Sequence, residues 1–188
     1  RVNSLAHRTT WLRSDLFLIL KEKKIMVEQI SDKIYSCCFT GHRTISSEKL
    51  IFLNDILTKE TEKLILNGIR YFYCGGAVGF DTLAAKVVLE LKKIYDIQLI
   101  IVVPNMGQDK YFTEKQKKEY NQILHHADTV IYLSDHYYKG CMQKRNQYMV
   151  EGSTYCICYL VGKTGGTAYT VNYARKHHLN IINTANFL

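Results

Sequence analysis

From residue 34 onward the chain alternates between short apolar runs and longer stretches whose apolar positions recur at helical spacing. The run from Ile34 to Thr40 predicts a strand. Leu50, Leu53, Ile56, Leu57, Leu64 and Ile65 then predict a helix over about 47–67. Ser46 is its expected N-cap and Gly68 its expected stop. Tyr71–Cys74 reads as a second strand, followed by the loop Gly75-Gly76-Ala77-Val78-Gly79 and a helix from Phe80 to about Tyr95. Gln98–Val103 is apolar on both faces, as a central parallel strand is. The pattern continues with a helix over 113–126, a strand over 129–133, a helix over 142–151 and a strand over 155–160. A loop over 162–166 precedes a helix over 167–177, and Ile181–Ile182 gives a last short strand. Strands alternating with helices imply right-handed βαβ units. The expected fold is α/β: a three-layer, Rossmann-like, doubly wound and mainly parallel sheet forming one domain over 26–188.

Residues 1–25 do not share this pattern. Trp11-Leu12 and Leu16-Phe17-Leu18-Ile19-Leu20 fit one short amphipathic helix ending in Lys21-Glu22-Lys23-Lys24, and Met26 opens a segment that reads like a natural start. We expect 1–25 to be either an upstream or artificially added extension or a helix packed on the domain surface. It also holds half of the net charge of +8, with six basic and two acidic side chains. In the remainder Lys and Glu mostly alternate along helices, which describes solvated faces rather than a nucleic-acid stripe. The charge favours anionic ligands without establishing DNA or RNA binding. The apolar runs, Leu99–Val103 among them, are far short of the roughly 20 residues that span a bilayer, so no membrane partner is expected. The six cysteines include no CxxC pair, and Cys37, Cys38, Cys156 and Cys158 sit in apolar strands. Reduced, buried thiols and a cytoplasmic setting are the expectation.

In a sheet of this kind ligands bind beyond the carboxyl ends of the strands, where four unusual segments fall. Gly41-His42-Arg43 puts an imidazole and a guanidinium after the first strand. Gly75, Gly76, Ala77 and Gly79 form a turn that lets backbone N–H groups approach an anion at a helix N-terminus, with Phe80 and Asp81 opening the helix. The same turn would also serve tight strand–helix packing, and Asp81 suits a first-turn carboxylate favoured by the dipole. Gly165-Gly166-Thr167 is a second glycine-rich turn, in which Thr167 can cap its helix or bond a ligand oxygen. The fourth segment, Met142 to Met149, carries Arg145 and Asn146 between two core methionines, and pattern alone would leave Arg145 on a solvated face. Neither the dinucleotide GxGxxG nor the P-loop is present, and no cofactor is expected. His125-His126 and His177-His178 suit helix C-termini better than metal ligation, and no metal site is expected.

Cys37-Cys38-Phe39-Thr40-Gly41-His42-Arg43, the run Cys74 to Ala85, Pro104 with Gln108, Arg145-Asn146-Gln147-Tyr148-Met149 and Gly165-Gly166-Thr167 together resemble the SLOG superfamily, in order, over about 34–185. Within it the chain looks like the small YpsA/YoqJ-type proteins of Firmicutes and their phages. The resemblance implies a nucleotide pocket and a homodimer. It also aligns Arg145 with the catalytic arginine of LOG-type phosphoribohydrolases, which cleave nucleoside 5′-monophosphates. Their last motif ends in a catalytic glutamate, and here Thr170 occupies that place. A hydroxyl cannot carry the negative charge that glycosidic cleavage calls on.

The leading expectation is therefore a domain that binds a nucleotide or nucleotide-derived small molecule, as a sensor or sequestering device. Gly75–Gly79 and Gly165–Thr167 would hold phosphate, Arg43 and Arg145 would add charge, and Gln108 would bond base or ribose. The alternative is a nucleotide hydrolase with Arg145 and Asp81 as its catalytic residues. A single-stranded nucleic-acid binder, suggested by the superfamily's DprA members and by Tyr137-Tyr138-Lys139, ranks third.

Overall fold

The computed structural model describes residues 32–188, of which Ile34–Leu188 form one unit. The expectations placed on residues 1–25 lie outside the described residues.

Six strands form one sheet: β1 (Ser36–Gly41), β2 (Tyr71–Cys74), β3 (Gln98–Val103), β4 (Thr129–Tyr132), β5 (Tyr155–Tyr159) and β6 (Asn180–Asn183). Their spatial order is β4-β3-β2-β1-β5-β6, and every pair is parallel. Five helices connect them: α1 (Ser47–Leu66), α2 (Phe80–Leu91), α3 (Glu114–His126), α4 (Cys141–Glu151) and α5 (Gly165–Lys176). From β1 to β4 the chain steps one way across the sheet, which places α1, α2 and α3 on one face under the right-handed crossover rule. It then returns past β1 and steps the other way, so α4 and α5 cover the opposite face. The fold is the expected doubly wound Rossmann-like α/β sheet.

The alternation of each strand divides the core accordingly. Cys37, Phe39, Phe72, Cys74, Leu99, Ile101, Val103 and Ile157 point to the α1–α2–α3 side and pack against Leu53, Leu57, Ala84 and Val88. Cys38, Ile100, Val102, Cys156 and Cys158 point the other way, onto Met149, Val150, Val171 and Ala174. All six cysteines are free and buried. Burial raises the Cys37, Cys74 and Cys158 thiols well above their ordinary range, and the Cys156 thiol is raised first by its hydrogen bond with Cys38 and then by burial.

Helix ends follow local chemistry, with some departures from expectation. Thr113 and Gln116 close a reciprocal capping box at the start of α3. Ser46 occupies the N-cap position of α1, but its side chain caps nothing. Gly68, at φ +96°, ends α1 where only a glycine fits comfortably. The helix expected to reach Tyr95 stops at Leu91, because the following residues tighten into three-residue-spaced bonds such as Ile94 N–H to the Leu91 carbonyl. A closing 3₁₀ turn, Thr184–Phe187, carries no periodic signal.

Candidate functional site

β1 and β5 are neighbours whose chains depart to opposite faces of the sheet, so a crevice opens between their carboxyl ends. A cavity of about 270 Å³ lies there. Gly41, His42 and Arg43 reach it from the end of β1, Ala77 and Asp81 from the β2–α2 turn, Arg145 and Asn146 from α4, and Gly166 and Thr167 from the first turn of α5. Phe39, Thr40, Met142 and Met149 complete its walls. Four segments far apart in sequence thus meet at one place.

Arg145 dominates the site. Only 5% of its surface is exposed, against the solvated face that pattern alone suggests. The buried stripe of α4 is Cys141, Arg145 and Met149, spaced by four residues, and that spacing is the signal the methionine-based reading passed over. The Arg145 Nε and Nη1 donors are buried without a hydrogen-bond partner. Its nearest carboxylate is Asp81, with Nη1 to Oδ2 at 3.8 Å, an ion pair too long for a hydrogen bond. Burial pushes the Asp81 carboxyl upward, toward its neutral form; Arg145, the Ala77 amide and Arg43 pull it back only in part. The guanidinium charge is therefore incompletely compensated inside a low-dielectric wall, where such a charge is costly until an anion reaches it.

The two glycine-rich turns do different work. At Gly75 an added Cβ would lie 1.6 Å from Arg145 Nη1, 2.4 Å from its Cζ and 2.6 Å from Asp81 Oδ2. Gly75 is bare because the guanidinium and the carboxylate occupy the space of its side chain. The turn's Ala77 N–H donates to Asp81 Oδ2 at 3.3 Å, so this turn's amide is already engaged by an internal carboxyl group. Gly79, at φ +84°, lies against the Arg43 backbone, and Gly41 makes room for the fully buried Phe80 ring. By contrast, nothing lies within 4 Å of a Cβ placed on Gly165 or Gly166. The second turn presents open backbone.

Several anticipated residues lie outside the cavity lining. Gln108 Nε2 donates to the Gly75 and Gly76 carbonyls at 3.1 Å each, bracing the first turn from behind. Gly75, Gly76, Gly79, Phe80 and the buried Pro104 do not line the cavity. Gly165 lines an adjoining cleft. His42 Nε2 lies 2.9 Å from the Val161 N–H and 3.0 Å from the Val161 carbonyl, clasping the β1 and β5 loops together across the crevice. Its ring meets Tyr159 edge-on. Thr170, at the position aligned with a glutamate, is buried; it accepts from Asn146 Nδ2 at 2.8 Å and donates to the Gly166 carbonyl at 2.9 Å. It joins α4 to the second turn rather than offering a charge.

Fold and site together define a Rossmann-like domain with a basic crevice at its topological switch point. The chain belongs to the YpsA family, described as the YspA SLOG family, whose profile matches residues 37–185. It is 33% identical over 140 residues to a UPF0398 protein of Halalkalibacterium halodurans, covering 72% of this chain and 71% of that one. It is also 33% identical over 144 residues to the SPbeta prophage-derived protein YoqJ of Bacillus subtilis, covering 69% and 84%. Among solved structures, DNA processing protein A of Helicobacter pylori, studied for its single-stranded DNA binding mode, superposes with a TM-score of 0.59 at 16% identity, covering 86% of this chain and 74% of that one. The Streptococcus pneumoniae DprA superposes with a TM-score of 0.58 at 16% identity, covering 82% of this chain and 50% of its own. These two likenesses establish the fold.

Proposed function

We propose that the domain binds a nucleotide or nucleotide-derived ligand, its phosphate held between Arg145, Arg43 and the open backbone of Gly166-Thr167. The observation that carries this reading is Arg145: a buried, under-partnered guanidinium in the wall of the switch-point cavity. Family membership supports it, as does the freedom of the second glycine turn. The first turn, with Asp81 on its amides, positions Arg145 instead of taking phosphate itself.

A thermal-shift panel tests the proposal, with chromatography of each mixture. The panel holds AMP, ADP-ribose, NAD, cyclic ADP-ribose and a short single-stranded DNA. A bound ligand at about 100 times its Kd raises stability by about 2.7 kcal/mol. The expected result is a shift with intact ligand that disappears in Arg145→Met. No shift with any small nucleotide refutes the reading, and a shift with DNA alone transfers the site to a nucleic-acid chain, the ligand of the Helicobacter pylori neighbour.

One observation favours a second reading, nucleotide hydrolysis. Asp81 lines the same cavity beside Arg145, and burial moves its pKa toward the range of a general acid. Released base in the chromatogram, lost in Asp81→Asn, would select it.

A further inference from the structure

A cavity of about 270 Å³ is small for a whole nucleotide, since ligand pockets usually enclose about 300–1,000 Å³. Beside it lies a second cleft of about 310 Å³, and the two share Met142, Asn146 and Gly166 as a common wall. The second cleft is flanked by Tyr137, from the β4–α4 loop, and Tyr169, on α5. Both rings are accessible: Tyr137 is 70% exposed and Tyr169 is 40% exposed.

Tyr169 is held in place from two sides. Gln147 Nε2 donates to its hydroxyl at 2.9 Å. Its ring stacks on Tyr173, with centroids 6.3 Å apart and planes 16° from parallel. Tyr173 is fixed in turn by a 2.6 Å bond from its hydroxyl to Glu151, and its ring leans on His177 at 4.2 Å. The row of rings along α5 therefore ends at the cleft in the fixed ring of Tyr169. Between this face and the anion cavity the floor is the uncovered backbone of Gly165 and Gly166, which a flat ring can approach closely.

We infer that this cleft takes the planar base of the ligand whose phosphate Arg145 holds, the base stacking on Tyr169 with Tyr137 covering its outer side. The inference rests on the phosphate reading above and adds where the base goes. A base stacked on an aromatic side chain strengthens binding by about 5- to 150-fold, and any base suffices because each has a π-face. A ring already immobilised loses little further freedom when the base arrives.

The test compares AMP, GMP, CMP and UMP with ribose 5-phosphate, each titrated into the full chain by calorimetry. Wild type should bind the nucleoside monophosphates about 5- to 150-fold more tightly than ribose 5-phosphate. Tyr169→Leu should lower that preference toward one while leaving ribose 5-phosphate binding unchanged. Tyr137→Ala, at a loop position 70% exposed, should reduce it as well and guards against a folding defect in the first variant. Arg145→Met should weaken all five ligands alike. If both tyrosine variants keep the wild-type preference while Arg145→Met weakens every ligand, the base lies elsewhere and the inference fails while the phosphate site stands. If none of the five binds wild type, or Arg145→Met changes nothing, the phosphate reading fails and this inference falls with it.

Discussion

Gly75→Ala tests the idea that the first glycine turn exists to seat Arg145. The added methyl would start 1.6 Å from Arg145 Nη1. Ordinary contact begins near 3.5 Å, so the guanidinium must retreat by roughly 2 Å. It cannot do so freely, because α4 is anchored by Cys141, Met149 and Val150 in the core. Overpacking of this kind costs about 1–3 kcal/mol. In a domain of this size each kcal/mol lowers Tm by about 2–4 °C, which places the expected fall at about 2–12 °C. The displaced guanidinium should also lose its charge-assisted bond to phosphate, about 1.5–3 kcal/mol, or about 10- to 150-fold in affinity for ribose 5-phosphate. The decisive assay is a double-mutant cycle read by urea denaturation. In an Arg145→Met background the flexible, uncharged side chain can yield, and Gly75→Ala should cost much less than in wild type. Equal costs in the two backgrounds would refute the reasoning, since the methyl would then be clashing with something other than Arg145.

The same geometry sets three further outcomes. Burial raises the Asp81 carboxyl, so its contribution to stability is full below the unfolded carboxylate range and is lost as pH rises through its folded value; denaturation measured from pH 3 to 8 should show a loss that shrinks in Asp81→Asn, and identical pH profiles would contradict the assignment. Thr170→Val keeps the shape but strands the Asn146 amide, which donates to Thr170 at 2.8 Å; it should lower stability by about 1–3 kcal/mol in urea, and a neutral effect would show that the α4–α5 link is dispensable. All six cysteines are buried and four thiols are held well above their ordinary pKa; a thiol reagent at pH 8 should label them only on unfolding, and rapid labelling of the native protein would contradict the packing.

The architecture was legible because strands β2 and β3 are short apolar blocks bounded by glycine or proline, and their limits, Tyr71–Cys74 and Gln98–Val103, match the expectation to the residue. The site was legible in part. Residue types that suit anion binding do converge at the β1 and β5 carboxyl ends. What pattern could not resolve was which of two similar glycine turns is open: Gly75 and Gly165 look alike in sequence, and only the tertiary neighbours of each distinguish a seat for Arg145 from bare backbone. Gln108 was expected to face ligand and instead braces the Gly75 and Gly76 carbonyls, because a loop amide satisfies the nearest free acceptors. Tyr169 carries no signal in the sequence for a related reason: its place at the cleft depends on a row of rings ordered by Gln147 and Glu151 on a different helix.

The central claim is that the under-compensated charge of Arg145 is the anchor for a phosphate. Calorimetric titration of ribose 5-phosphate into wild type and Arg145→Met, at low and at moderate salt, tests it most directly. Wild type should bind, and Arg145→Met should weaken that binding by about 10- to 150-fold. Equal affinities in the two proteins would contradict the claim.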